Sequence, residues 1–127
     1  MRCFLFLVGL LASGMCFAAD YVRYYQTHPE ALQKALQACP TSSPTGLTCD
    51  DLRHMAERMN ELAYQLRSNP QEFGQTILAL QEELAKQKVA LQQNPSLPDL
   101  LAAYESNQQL LQVKLAVVRW LESPVGR

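Results

Sequence analysis

The sequence predicts an all-α protein, a small antiparallel helical bundle of three long helices preceded by a short, disulfide-tethered N-terminal helix. From residue 52 onwards, apolar residues recur every three or four positions, as expected for amphipathic helices. In the first long helix the predicted stripe is Leu52, Met55, Met59, Leu62 and Leu66. In the second it is Phe73, Ile77, Leu80, Leu84 and Leu91, widened by Leu78, Val89 and the alanines. Asn-Pro pairs at residues 69–70 and 94–95 separate these segments, and short connections of this kind favour antiparallel neighbours. No stretch of useful length alternates apolar with polar residues, which argues against strands.

The first eighteen residues have the layout of a secretory signal peptide. Arg2 supplies a positive start, residues 4–12 form a compact apolar run, and small residues lead to Ala18. The run is too short to span a hydrocarbon core of about 30 Å. Cleavage after Ala18 would leave one helical domain over residues 19–127, with a capped helix and loop over 27–49 and a helical bundle over 50–122.

Cys16 supports an alternative fate for the N-terminus. A bacterial lipoprotein is cleaved just before a cysteine that then carries the lipid, usually after a Leu three positions earlier and a Gly or Ala immediately before. Here Ser13 and Met15 occupy those positions. We therefore expect a soluble periplasmic protein, with outer-membrane association through a lipidated Cys16 as the alternative.

Capping signals predict where the helices begin. Each start combines a Ser, Thr or Asn cap with an acidic residue in the first turn; Pro29 lies early in its first turn, and Pro70 takes the first helical position. The expected starts are Thr27 with Pro29 and Glu30, Thr48 with Asp50 and Asp51, Asn69 with Pro70 and Glu72, and Ser96 with Asp99. The expected ends are near Ala38, Ser68, Gln93 and Glu122, and residues 20–26 are expected as a short helix or an extended arm.

Two cysteines, Cys39 and Cys49, remain after the expected cleavage. In an oxidising compartment such a pair usually forms a disulfide, which would close the Pro- and Ser/Thr-rich loop 40–48. Free thiols are the alternative. A structural zinc site is disfavoured because no ligand spacing typical of zinc accompanies the two cysteines.

Composition argues against several functional classes. The formal charge of the whole chain is −1, and losing Arg2 makes it −2, so the basic surface that nucleic acids need is missing. His54, Glu57 and Glu61 share a helix face, but with interleaved arginines they are better explained as solvated side chains than as metal ligands. No nucleophile–base pairing stands out. We predict no catalytic residues, no metal and no cofactor.

Two surfaces are candidates for protein binding. Tyr24 and Tyr25 lie in a tyrosine-rich segment before the first capped helix. The last helix carries a second apolar stripe beside its first, made of Leu110, Val113, Val117, Trp120 and Leu121. Such a stripe marks either a partner site or core covered by the short helix. Abundant neutral Gln side chains on the helix faces are compatible with homo-oligomers.

The segment from Tyr24 to Cys49 also resembles a known family. Its Tyr24-Tyr25 pair, the run His28-Pro29-Glu30, Leu36, and the pair Cys39 and Cys49 are similar to the core pattern of the EexN-type entry-exclusion lipoproteins. These are small envelope proteins associated with conjugative and type IV secretion systems, and they carry a lipidated cysteine shortly before the tyrosine pair, where Cys16 stands. The resemblance covers residues 16–52.

The resemblance implies an envelope location and a binding role rather than catalysis. We expect a small exported protein that binds envelope proteins, as an accessory or peripheral component of a type IV secretion or conjugation system. The alternatives are a free periplasmic adaptor with chaperone-like binding and a secreted effector. A membrane contact is expected only if Cys16 is lipidated.

Overall fold

The computed structural model describes the backbone of residues 13–40 and 46–124, and the side chains of residues 20–40 and 46–124. Within these ranges the chain forms α-helices and no strand, so the predicted all-α class is confirmed. The helices are α1 (Ser13–Thr27), α2 (Pro29–Gln37), α3 (Cys49–Ser68), α4 (Pro70–Gln93) and α5 (Pro98–Glu122). The apolar run of the predicted signal peptide, residues 4–12, lies outside the described residues.

The chain divides into two compact units, Met1–Glu57 and Arg58–Arg127. The first unit contains α1, α2 and the start of α3, and the second contains the rest of α3 with α4 and α5. The boundary falls inside the unbroken helix α3. The organisation of residues 19–127 as one domain stays a prediction.

Helix α1 continues through the tyrosine-rich segment up to Thr27, which corrects one predicted cap. The Thr27 hydroxyl donates back to the carbonyl oxygens of Arg23 (3.1 Å) and Tyr24 (3.2 Å), so it closes α1 instead of capping α2. Such back-bonding inside a helix competes with the capping role. His28, the expected first residue of this helix, is the N-cap residue of α2 without a side-chain capping bond, and Pro29 lies in the first turn as predicted.

A disulfide and a capping box together fix the start of α3. Cys39 and Cys49 form the predicted bond, with their Cα atoms 6.1 Å apart. The Thr48 backbone N–H donates to Asp51 Oδ2 (2.9 Å), and the Asp51 N–H donates to Thr48 Oγ1 (3.1 Å). These bonds stabilise the carboxylate and lower the pKa of Asp51. The predicted start at Thr48 is therefore confirmed with both halves of its capping box.

Helix α3 buries one apolar stripe along its length. Leu52 and Met55 are buried in the first unit, and Met59 and Ala63 in the second. Their spacing of three and four residues places them on one face of the helix. The first three belong to the predicted stripe, whereas its other members, Leu62 and Leu66, are half-buried and Ala63 is buried instead.

The second unit is dominated by the packed pair α4 and α5. Asn69 caps α4 as predicted, because its Oδ1 accepts the Glu72 N–H (3.1 Å) and its Nδ2 donates to Glu72 Oε2 (2.9 Å). The start of α5 differs from the prediction. Leu97, not Ser96, is the N-cap residue, and no side chain caps this helix. Pro98 at the first position removes one N–H that would otherwise need a partner.

Helices α4 and α5 meet along a seam that alternates steps of four and three residues, the spacing of coiled coils. Every seam residue is buried or half-buried. On α4 the seam consists of Phe73, Ile77, Leu80, Leu84, Gln87 and Leu91, and on α5 of Leu100, Tyr104, Asn107, Leu111, Lys114, Val118 and Leu121. At 1.5 Å per residue, α4 extends about 36 Å.

Candidate functional site

An aromatic cluster occupies the junction of α1 and α2. The rings of Tyr24 and His28 are stacked, with centroids 4.0 Å apart and planes inclined by 16°. Tyr25 lies edge-on to Tyr24 at 5.7 Å, and Tyr21 stacks on Tyr25 at 6.3 Å. Offset stacks and edge-to-face pairs are the favoured aromatic arrangements. The junction therefore holds four rings in one continuous group.

Backbone contacts hold the exposed part of this cluster in place. His28 Nδ1 lies 2.7 Å from the carbonyl oxygen of Tyr24 and 3.1 Å from the Thr27 hydroxyl. Tyr24 keeps 48% of its surface exposed, whereas Tyr25 is buried. Burial, with the neighbouring Tyr21 and Tyr24, raises the pKa of Tyr25. The outer ring of Tyr24 is thus positioned for contact by a buried ring beneath it and a stacked imidazole beside it.

The seam of α4 and α5 contains one amide pair. Asn107 Nδ2 donates to Gln87 Oε1 at 3.2 Å, and Gln87 is buried. Polar pairs at seam positions favour a single register because any slip leaves both groups without a partner. Gln87, which interrupts the apolar pattern of α4, is therefore a seam residue with a matched partner.

Lys114 is the second polar feature of the seam. Its side chain is buried, and its ammonium donates to Thr76 Oγ1 at 2.7 Å and lies 5.1 Å from the centre of the Phe73 ring. Among the described residues, no carboxylate lies within salt-bridge distance of it. Burial lowers the pKa of Lys114 below its usual value.

Replacing Lys114 by methionine is expected to raise the free energy of unfolding at neutral pH by about 1 kcal/mol, because an apolar side chain of similar length replaces a buried charge. The folded pKa lies below the unfolded value, so the unfolded chain binds more protons between the two. Wild-type stability should therefore gain as pH rises through that window, and Lys114→Met should lack this gain. Urea unfolding at several alkaline pH values measures the difference, and a destabilised variant would contradict the prediction.

The outer face of α4 exposes apolar side chains. Leu78 and Val89, expected from the sequence to widen the buried stripe, are 64% and 54% exposed. Leu78 is one position and Val89 two positions from the nearest seam residue, and this offset turns both side chains away from α5. This corrects the sequence-based assignment and adds an unexpected surface.

A cavity of about 210 Å³ lies at the corner between α3 and α4. Tyr64, Gln65, Ser68, Asn69, Glu72, Phe73 and Thr76 line it. Its Asn69 and Glu72 side chains already bond each other at the start of α4. The connection between α3 and α4, together with the cap of α4, therefore accounts for this cavity.

The residues predicted for binding fall into two groups. Tyr24 is exposed, and Val113 and Leu121 are half-buried. Tyr25, Val117 and Trp120 are buried, which favours the core alternative for the last helix's second stripe. The indole Nε1 of Trp120 has no hydrogen-bond partner among the described residues. The side chain of Cys16 lies outside the described residues.

The histidine and carboxylates of α3 behave as surface residues. His54 Nδ1 lies 3.3 Å from Glu57 Oε2, and both side chains are largely exposed. Over residues 20–40 and 46–124, no group of three or more potential ligands is arranged to hold a metal ion. No helix in the described part of the chain combines the length and the apolar character needed to cross a membrane.

Comparisons of the chain with protein-family models, with curated proteins and with solved structures find no match. The similarity of the Tyr24–Cys49 segment to the EexN-type lipoproteins therefore stays a prediction. The basis for the proposed function is therefore the geometry of the aromatic cluster and of the exposed apolar side chains.

Sequence reasoning missed the polar members of the seam and the apolar members of the outer face. Asn107 and Lys114 continue the alternating three-and-four spacing of the apolar seam residues, and this spacing could have identified both. For Leu78 and Val89 the signal was their offset from the nearest seam residue, by one and by two positions. The exposure of Tyr24 has no counterpart in the sequence, because Tyr24 and Tyr25 are the same residue type.

Proposed function

We propose that this chain is a small exported envelope protein that acts by binding another protein, as an accessory or peripheral component of a type IV secretion or conjugation system. The observation that carries the proposal is the exposed Tyr24 ring, stacked on His28 beside the disulfide-tethered helix α2. These residues are also the ones that resemble the EexN-type pattern. The aromatic cluster is the proposed contact surface.

The chemistry of the cluster suits a protein partner. An exposed tyrosine offers a large apolar ring and a hydroxyl, and loses little conformational freedom on binding, which is why tyrosine is enriched in protein interfaces. Tyr24 is already held by its stack, so part of the ordering cost is met before the partner arrives. Arg23, which precedes Tyr24 in the chain, and Glu30, in the first turn of α2, are also exposed.

Exposed apolar residues on the helical hairpin formed by α4 and α5 favour a second candidate, a free periplasmic adaptor with chaperone-like binding. Leu97, Leu101 and Leu110 remain exposed near the connection of α4 and α5 and along α5. A chaperone would bind many unfolded exported chains through such side chains. A secretion component would bind few, specific partners.

Site-specific photocrosslinking in the producing bacterium tests the proposal. A benzoylphenylalanine at position 24 is expected to give one or a few defined adducts that contain secretion-system components. The same group at position 64 is the matched control, because Tyr64 is 66% exposed but lies outside the cluster. The intact mass of the captured chain distinguishes cleavage after Ala18 from a lipid on Cys16.

Tyr24→Ala should abolish recovery of the partner in affinity purification from envelopes, whereas Tyr64→Ala should retain it. Position 24 is exposed, so the variant keeps its helices. Equal adducts from positions 24 and 64, or many unrelated exported proteins from both, would exclude the secretion-component proposal and favour the adaptor.

A further inference from the structure

We propose that the outer face of α4 is a self-association surface, on which a second copy of this chain packs its own α4 in antiparallel orientation. This inference is independent of the proposed function, because it rests on α4 alone and not on the aromatic cluster. The second copy is argued from the symmetry and charge pattern of one helix face, here named the outer stripe.

The outer stripe consists of six uncharged residues that recur by three and four along one side of α4. Its members are Gly74, Leu78, Gln81, Ala85, Val89 and Gln92. The side chains of all but Gly74, which is half-buried, are exposed. A helix face of this spacing, with its larger apolar residues pointing to solvent, has the pattern of a coiled-coil surface without its partner. From Gly74 to Gln92 the stripe is about 27 Å long.

The order of residues along the stripe is self-complementary. In a two-fold antiparallel pair, each contact between one residue and another occurs twice. Aligning Leu78 of one copy with Val89 of the other also brings Gln81 and Ala85, and Gly74 and Gln92, to within one residue, about 1.5 Å, of the same level. Both large apolar residues thus find an apolar partner, and each glutamine faces a small residue.

The charges bordering the stripe fit the same alignment. Glu82 and Lys86 form an ion pair of 3.0 Å within the helix, and both are mostly exposed. In the antiparallel pair, Glu82 of one copy lies level with residue 85 of the other, so the partner's Lys86 follows about 1.5 Å along the axis. Each copy therefore places its carboxylate beside the other copy's ammonium, twice per dimer.

Gly74 supports a close approach of the two helices. A Cβ atom built at this position meets no other atom within 4 Å, so the space above the backbone is open. A helix glycine costs stability relative to alanine, roughly 1 kcal/mol in an interior turn. An open glycine on the stripe lets the end of the partner helix pack directly against the backbone.

Sedimentation equilibrium of the processed protein, over a wide concentration range, provides the first test. Wild type is expected to shift from monomer to dimer as the concentration rises. Leu78→Glu should remain monomeric where the wild type is mostly dimeric, because two glutamates would enter an apolar contact. Ala79→Glu is the matched control, since Ala79 is exposed but lies off the stripe, and it should dimerise like the wild type.

Charge exchange tests the bordering pairs. The variants Lys86→Glu and Glu82→Lys each carry like charges at positions 82 and 86, so each variant by itself should dimerise less than the wild type. A mixture of the two variants should form heterodimers. Far-UV circular dichroism confirms that each variant keeps its helices. A mixture that associates no better than its components would overturn the charge argument.

Cysteine crosslinking tests the orientation. Leu78→Cys and Val89→Cys variants should form a mixed disulfide when combined under oxidising conditions, and neither variant should crosslink with itself. Efficient self-crosslinking of Leu78→Cys would show a parallel pair and overturn the proposal. A wild-type protein that stays monomeric at every concentration would also overturn it, while leaving the role proposed for Tyr24 intact.

Discussion

Trp120→Ala is expected to lower the free energy of unfolding by about 3–5 kcal/mol, the range typical of large-to-alanine changes in cores. Only 9% of the Trp120 side chain is exposed, and Val117, one turn earlier on the same face, is fully buried. The change would remove a large ring from a packed environment and leave a cavity. Urea unfolding followed by far-UV circular dichroism, at matched protein concentrations, measures the loss.

Leu110→Ala is the matched control for this experiment, because Leu110 belongs to the same stripe of α5 but is exposed. Its expected cost is under about 1 kcal/mol. Trp120→Phe should also cost less than Trp120→Ala, since it keeps an aromatic ring and removes an N–H without a partner among the described residues. If Trp120→Ala unfolds like the wild type, the ring is not part of the core.

Removing the Cys39–Cys49 disulfide is expected to cost about 2.5–3 kcal/mol. The two cysteines are 10 residues apart, and the chain-entropy estimate for a loop of this size lies in that range. Helix α2 has only 9 residues, too few to be stable by itself, so it depends on this connection and on its packing against α1. The double variant Cys39→Ala/Cys49→Ala avoids a free thiol.

Two measurements check this prediction. Denaturant unfolding gives the overall loss, and amide hydrogen exchange should show selective deprotection of residues 29–37. The wild type treated with reductant should match the double variant, and reductant should not alter the variant further. A loss below about 1 kcal/mol would mean that packing alone holds α2 in place.

Helix N-caps could be predicted from the sequence where the capping side chain had one set of backbone partners, and not where it had two. Thr48 and Asn69 both begin helices as predicted, because each follows a loop or a helix end and has an acidic residue three positions later. Thr27 also has an acidic residue three positions later, but it lies in the last turn of α1. Its hydroxyl therefore donates to the carbonyl oxygen of Arg23, one turn earlier. The helix that precedes Thr27 decides the outcome.

The seam shows a similar limit. Apolar spacing correctly placed Phe73, Ile77 and Leu84 on one face of α4, because burial of apolar surface dominates that choice. The seam positions of Asn107 and Lys114 follow from the same spacing, but polar residues at those positions are acceptable only if partners exist on the other helix. Gln87 and Thr76 are those partners, and their pairing depends on the register between α4 and α5.

The exposure of the candidate surface residues could be predicted less well than the caps and the seam, because exposure depends on tertiary structure. Neighbouring tyrosines at positions 24 and 25 have equal intrinsic preferences, yet one is half-exposed and the other buried, because a helix turns successive side chains by about 100°. The second stripe of α5 was predicted with two alternatives. The burial of Val117 and Trp120 favours core, while Leu110 on the same stripe stays exposed.

The short connection between α4 and α5 has a consequence for folding speed. Only four residues, Asn94–Leu97, separate the two helices, so their contacts join parts of the chain that are close in sequence. Low contact order of this kind allows closure in microseconds to milliseconds. Of the described elements, the hairpin is therefore expected to form early, and substitutions at Leu84 or Leu111 should slow refolding more than substitutions at Leu32 in α2.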